Sequence, residues 1–204
     1  MSDVHFYEVA KGHGLPHDPF KAIVAPRPIG WISTVSSAGK PNLAPYSFFN
    51  ACCDTPPMVM FASVGRKDSL RNIEETGEFV CNLATRGLAE VLNQTSLPLP
   101  HGQSEFAAVG LTTAACRLVK PPRVAEAAAA LECRAVKTFQ LPTLSGTPAN
   151  TFMTIGQVVA VHIDTAFLKD GLFDMIAAGT IARCGYRGDY AHVTELFEML
   201  RPKP

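Results

Sequence analysis

The stretch that most constrains the fold is Arg27 to Asn50, RPIGWISTVSSAGKPNLAPYSFFN. Ile29 to Val35 reads as a strand, with β-branched and aromatic residues around one glycine. Ser36 to Lys40 reads as a turn in which Gly39 takes a positive φ. The chain returns through Asn42 to Asn50, so the segment predicts a β-hairpin. Its polar content is unusual. A half-buried strand alternates apolar and polar residues, yet Ser33 and Thr34 are consecutive, and Asn42, Ser47 and Asn50 punctuate the returning arm. Pro45 has no N–H to give a ladder, which confines it to an edge or a bulge, and it is expected to break that arm. An interrupted strand leaves backbone groups that need partners when buried. A flat heterocycle with amide-like edges would supply them, and so would a tightly turning loop.

Downstream, Met58 to Ser63 reads as a nearly all-apolar buried strand. Gly65-Arg66-Lys67 then precedes a short helix over 68–76: Asp68 or Ser69 is the expected N-cap, Leu70 and Ile73 form an apolar pair, and Gly77 terminates it. A helix start behind two cations suits a phosphate. A surface cap with solvated cations is the plainer alternative. Glu78 to Ala84 is a strand, Gly87 to Gln94 a second short helix, and 95–110 a loop with one further helical turn from Ser104. His101 reads as part of a mobile loop. Strand character resumes over Cys116 to Val119, at Val124 and over Leu131 to Leu141, with a loop or single turn through Ala125 to Ala130. The turn residues 145–148 join the long strand to Thr154–Ile163, where Gly156 suggests a bulge. Residues 194–200 read as a short helix or an extended tail. Strands joined mainly by hairpins, with few short helices, predict a mainly β, antiparallel, Greek-key-like barrel. The 204 residues make one domain, with 1–20 as an N-terminal arm and 191–204 as a C-terminal tail.

Eighteen basic and eighteen acidic residues cancel, so no global field attracts nucleic acid. No run is long and apolar enough for a membrane helix, and the first residues lack a secretory pattern; a cytoplasmic protein is expected. Cys52, Cys53, Cys81, Cys116, Cys133 and Cys184 have no CxxC spacing and no histidine partner that suggests zinc, so no metal site is expected. Most of them sit among apolar neighbours and read as small buried hydrophobes. His5, His13 and His17 show no metal spacing either, and His162 reads as a satisfied core histidine. No nucleophile–base pair stands out, so no catalytic residue is assigned. The GxGxxG fingerprint of a dinucleotide-binding domain is absent.

RPIGWIST at 27–34, NLAPYSFFN at 42–50 and PPMV at 56–59 together resemble the flavin reductase-like family, whose members are FMN-binding split barrels. The likeness continues through GRKDS at 65–69 with Asn72, then EFVCN at 78–82, LEC at 131–133 and IGQVV at 155–159. In order, it spans roughly residues 15 to 190. The resemblance implies a split β-barrel, a homodimer with ligand at the subunit interface, and FMN as cofactor. It places the phosphate at Arg66, Lys67 and Ser69, with Ser33 or Thr34 as added hydroxyls and Asp68 in a capping or outer role. It places the ring along Ala44, Pro45, Tyr46, Ser47 and one of Phe48 and Phe49, with Asn42 alongside. Trp31 is either a wall of the site or a core aromatic, and Arg27 is a weaker candidate. The implied activity is NAD(P)H-dependent flavin reduction, the nicotinamide lying on the flavin, with a monooxygenase or other redox partner downstream. The implied alternative is an electron carrier holding FMN tightly. A split-barrel oxidase or binder using pyridoxal phosphate finds no support in the residues.

Overall fold

The hairpin forms, and the main sheet is laid down around it. In the computed structural model, which describes residues 3–100 and 102–202, strand β1 (Gly30–Val35) pairs antiparallel with β2 (Pro41–Tyr46). His101 lies outside the described residues. Gly39 turns the hairpin at φ 78°. Strand β1 is buried along its whole length, whereas β2 is the edge of a seven-stranded sheet.

That edge position corrects the expectation for Pro45, which does not interrupt the arm but sits inside β2 opposite Trp31. The Leu43 N–H points away from β1 and donates to Glu105 Oε2 at 2.9 Å. By the alternation of an antiparallel ladder, Pro41 and Pro45 face outward too, where a missing N–H costs no ladder bond. The break falls later, at Ser47 and Phe48. Strand β3 (Phe49–Cys53) then pairs with β4 (Met58–Val64).

With β5 (Glu78–Leu83), β6 (Ala129–Gln140) and β7 (Thr151–Ile163), the strand order is β2-β1-β5-β6-β7-β4-β3, every pairing antiparallel. The two edge strands, β2 and β3, are neighbours in sequence, with only Ser47 and Phe48 between them. A sheet whose edges are joined by so short a link must roll until they meet; the Ala62 N–H donates to the Phe48 carbonyl at 2.8 Å, which carries the β3–β4 ladder into that link. The result is a mainly β barrel, split along one line.

The interior is filled by Ile32, Tyr46, Val59, Phe61, Phe79 and Cys133, together with Ile73 from helix α1 (Asp68–Thr76). Each large apolar side chain so enclosed is worth about 1.5–3 kcal/mol. Outside β1 and β2, Trp31 and Leu43 pack against Leu92 of α2 (Ala89–Gln94) and Phe106 of α3 (Glu105–Val109). Gly156 lies at a register shift between β6 and β7, as its place in the strand suggested. A Cβ there would stand 2.3 Å from Phe79 Cζ, so only glycine leaves room for that ring.

Several local expectations need correction. Lys67, not Asp68 or Ser69, occupies the N-cap of α1, and Asp68 opens the first turn; Gly77 ends the helix at φ 73° as expected. Cys116 to Val119 forms no strand, because the N–H groups of Arg117, Leu118 and Val119 all turn to the Glu132 carboxylate instead of a neighbouring chain. Of the two readings of residues 194–200, the extended tail holds: they form no helix and are exposed. Cys81 and Cys133 are buried, but Cys52 and Cys53 are exposed on the edge strand β3. The stretch assigned to the C-terminal tail begins inside a small sheet: Tyr190–His192 pairs with Ile181–Arg183, which pairs with Arg27–Pro28. Among the described residues no helix is long and apolar enough to cross a membrane.

Candidate functional site

The seam opens into a cavity of about 460 Å³, within the roughly 300–1,000 Å³ usual for small-molecule sites. One wall is the β2 edge and the break beyond it: Asn42, Ala44, Pro45, Tyr46, Ser47 and Phe48. Facing it are Ala62 and Val64 of β4, and the start of α1 at Lys67, Asp68 and Ser69. Residues 95–99 and Glu105 close the remaining side. The fold has therefore gathered most of the residues singled out in sequence into one place.

Phe48 and Phe49 separate as adjacent residues must. Phe48 is on the cavity wall and partly exposed, while Phe49 turns inward against Gly30, whose added Cβ would meet its ring at 2.5 Å. Trp31, Ser33, Thr34 and Arg66 are placed elsewhere. Trp31 is fully buried, its indole N–H donating to Thr95 Oγ1 at 2.9 Å, so it reaches the cavity only by holding Thr95 on the rim. Ser33 is spent on the Pro122 carbonyl at 2.5 Å. Thr34 Oγ1 accepts from Asn72 at 3.0 Å and stays inside the sheet. Arg66 turns out to Glu74 and lies over the Phe152 ring. Arg27 donates to the carbonyls of Lys21 and Cys184 at 2.5 and 2.9 Å, with its guanidinium 6.0 Å from the Phe48 ring centre. It braces the wall from behind.

The polar equipment of the cavity is uneven. Ser69 Oγ accepts from the Asn42 amide at 2.9 Å, which leaves its own proton free to donate. The Tyr46 hydroxyl lies beside Ser63 and Ser69 but makes no well-formed hydrogen bond, so a buried polar atom is left over on the cavity wall. Burial pushes its phenol above the usual range. Glu105 is also pushed upward, first by burial and further by Asp68, against the pull of the Leu43 N–H. Asp68 pairs with Arg71 at 3.1 Å. Among the described residues Lys67 is the one lysine or arginine on the lining, and it stands at the positive end of α1.

These features fit FMN in outline. The start of α1, Lys67 and Ser69 offer a cation and donors to a phosphate. The Tyr46 hydroxyl and the outward carbonyl of Pro45 offer polar contacts to a ring edge, and Phe48 and Leu97 offer apolar surface. Glu105, Thr95 and the 97–99 wall were not legible as site residues. The Ser104-Glu105 pair signals only a helix start, and nothing in 95–99 marks a loop that folds back over a distant strand.

A split barrel with a cleft along its seam is the class that this architecture defines. Residues 24–175 match the model of the flavin reductase like domain, and the chain belongs to that family. A relative from Deinococcus radiodurans is 37% identical over 98% of this chain and 91% of its own length. Among solved structures, nitrilotriacetate monooxygenase component B from Bacillus cereus is 28% identical with a TM-score of 0.80, covering 88% of this chain and 91% of that one. A protein with a split barrel domain from Shewanella frigidimarina superposes with a TM-score of 0.80 at 24% identity, covering 90% of each chain.

Proposed function

We propose that the chain is an FMN-binding oxidoreductase that passes a hydride from NAD(P)H to FMN held in the seam cavity. The observation that carries this reading is the unpartnered Tyr46 hydroxyl, buried on the wall of a cavity that also presents Lys67, Ser69 and the start of α1. A buried hydroxyl without a partner forfeits about 1–3 kcal/mol, and a ligand with amide-like edges would restore it. Membership of the flavin reductase-like family supports a flavin. The structural neighbour named as a monooxygenase component supports a downstream redox partner.

The roles of the residues follow from what the cavity offers. Lys67, the Ser69 hydroxyl and the first N–H groups of α1 would hold the phosphate. The break at Ser47 and Phe48 and the Tyr46 hydroxyl would orient the ring, and Phe48 with Leu97 would keep water from one side. When bound, the flavin supplies the hydride-accepting centre, so the protein's own task is to hold two flat rings in register. A second subunit at the exposed rim of Phe48, Val64 and Leu97 would complete the enclosure.

Absorbance spectra of the purified, FMN-supplemented protein before and after anaerobic NADH or NADPH test this reading. Bleaching of the flavin band by either nucleotide, together with turnover of added FMN, is the expected result. Flavin that survives gel filtration yet resists both nucleotides points to an electron carrier instead. Absence of any flavin binding removes both readings.

A further inference from the structure

A second group of reactive side chains lies away from the seam cavity and lines none of it. Cys116, Glu132 and His162 are brought together so that one donor atom from each lies within 4.8 Å of the others. Chain spacing gave no hint of this, since the residues come from a loop and two different strands. Cysteine–histidine spacing in the sequence suggested no zinc cluster, and the fold brings Cys116 and His162 together all the same.

We propose that Cys116, Glu132 and His162 form a binding site for zinc or a similar borderline divalent cation, its fourth position open to the neighbouring cavity. The donor set is the first argument: thiolate, carboxylate and imidazole are the ligands such ions take, at about 2.0–2.3 Å each. Donors around a tetrahedral ion at those lengths stand about 3.3–3.8 Å apart. His162 Nε2 and Glu132 Oε1, now 2.5 Å apart, need to open slightly to admit it.

Preorganisation is the second argument. Glu132 and His162 sit on paired strands, where Ala160 faces Glu132 and Ala130 faces His162. Glu132 is fully buried, and its carboxylate is oriented by the N–H groups of Arg117, Leu118 and Val119 at 2.8, 2.6 and 3.1 Å. Those three residues directly follow Cys116, so the clasp that fixes the carboxylate also fixes the thiol. Outer contacts of this kind are how metal sites aim their ligands.

The third argument is access. His162 lines a separate cavity of about 530 Å³, together with Arg117 and Arg123. The Arg123 Nε is buried there with no hydrogen-bond partner. One divalent ion neutralises one thiolate and one carboxylate, and the two guanidinium groups then favour an anionic fourth ligand, such as hydroxide or a small carboxylate, in the open position.

Titration of the chelator-treated full chain with Co²⁺ tests the site. The expected result is a thiolate-to-cobalt charge-transfer band in the near ultraviolet that saturates at one equivalent and is displaced by Zn²⁺. Cys116→Ser should abolish the band. His162→Gln should weaken cobalt affinity by more than the roughly 10–100-fold that loss of an outer contact costs. A Cys52→Ser, Cys53→Ser double variant should leave it intact, and far-ultraviolet circular dichroism reports whether each variant keeps its fold. No band, a band that survives Cys116→Ser in a folded protein, or a band lost in the double variant would each overturn the proposal.

Discussion

Glu105 and Glu132 are both buried glutamates, and the molecule treats them in opposite ways. Glu132 is fully enclosed, yet N–H donors from Arg117 and Leu118 and the His162 ring overcome the effect of burial and hold its carboxyl below the usual range. Glu105, on the wall of the seam cavity, has the Leu43 N–H and its own, and burial pushes it above that range. In both, burial pushes the carboxyl up and aimed N–H donors pull it down, and at Glu132 the donors prevail. The first region holds its carboxylate charged and aimed by donors, and the second has polar capacity left over. Spare capacity of that kind is what a ligand site needs and what a self-sufficient core avoids.

Glu132→Ala should have the largest effect. It strips the partner from three backbone N–H groups and from His162, and should lower the unfolding free energy by about 3–5 kcal/mol, read from urea denaturation. Next, Lys67→Ala should leave stability nearly unchanged but weaken FMN binding by about tenfold or more, as expected for one lost charge-assisted contact; fluorescence titration measures it. An equal loss of stability would blur the contrast between clasp and cavity.

The pH dependence of stability separates the two carboxyls by sign. Glu132 has a depressed folded value, so its contribution is present above the ordinary carboxylate range and lost as pH falls through that folded value. Glu105 has a raised folded value, so its contribution is present below the ordinary value of 4.5 and lost as pH rises through the folded one. Glu132→Gln should therefore flatten the acid limb of the stability profile. The smallest expected effect is that of Glu105→Gln, which keeps an acceptor for Leu43 and should raise stability at neutral pH by less than about 1 kcal/mol. Thermal melts across the acid and neutral range check both, and a matching response from the two variants would contradict the contrast.

Much of the fold was legible because it rests on local rules. The hairpin turn at Gly39, the stop at Gly77, the bulge at Gly156 and the apolar pair Leu70 and Ile73 all follow from short-range backbone and side-chain demands. Pro45 marks an edge or a bulge, but whether the arm breaks there is a property of the whole sheet, not of the residue. Cys116 to Val119 looked like a strand because its β-branched and apolar residues carry that preference, while the acceptor that captures its N–H groups lies on β6. Within the site, Asn42 to Phe48 and Lys67 to Ser69 could be read because they are short and contiguous. Trp31, Ser33 and Thr34 could not be sorted into wall or core, since that depends on which face α2 and α3 cover. Glu105 and Thr95 were invisible for the same reason, being brought in by long-range packing alone.

The account turns on the seam cavity being the flavin site. A crystal structure of the chain soaked with FMN tests this most directly. The predicted result is ring density against Ala44 to Phe48, within reach of the Tyr46 hydroxyl, and phosphate density at Lys67 and Ser69. Flavin bound elsewhere, or a seam closed by side chains with flavin excluded, would contradict it.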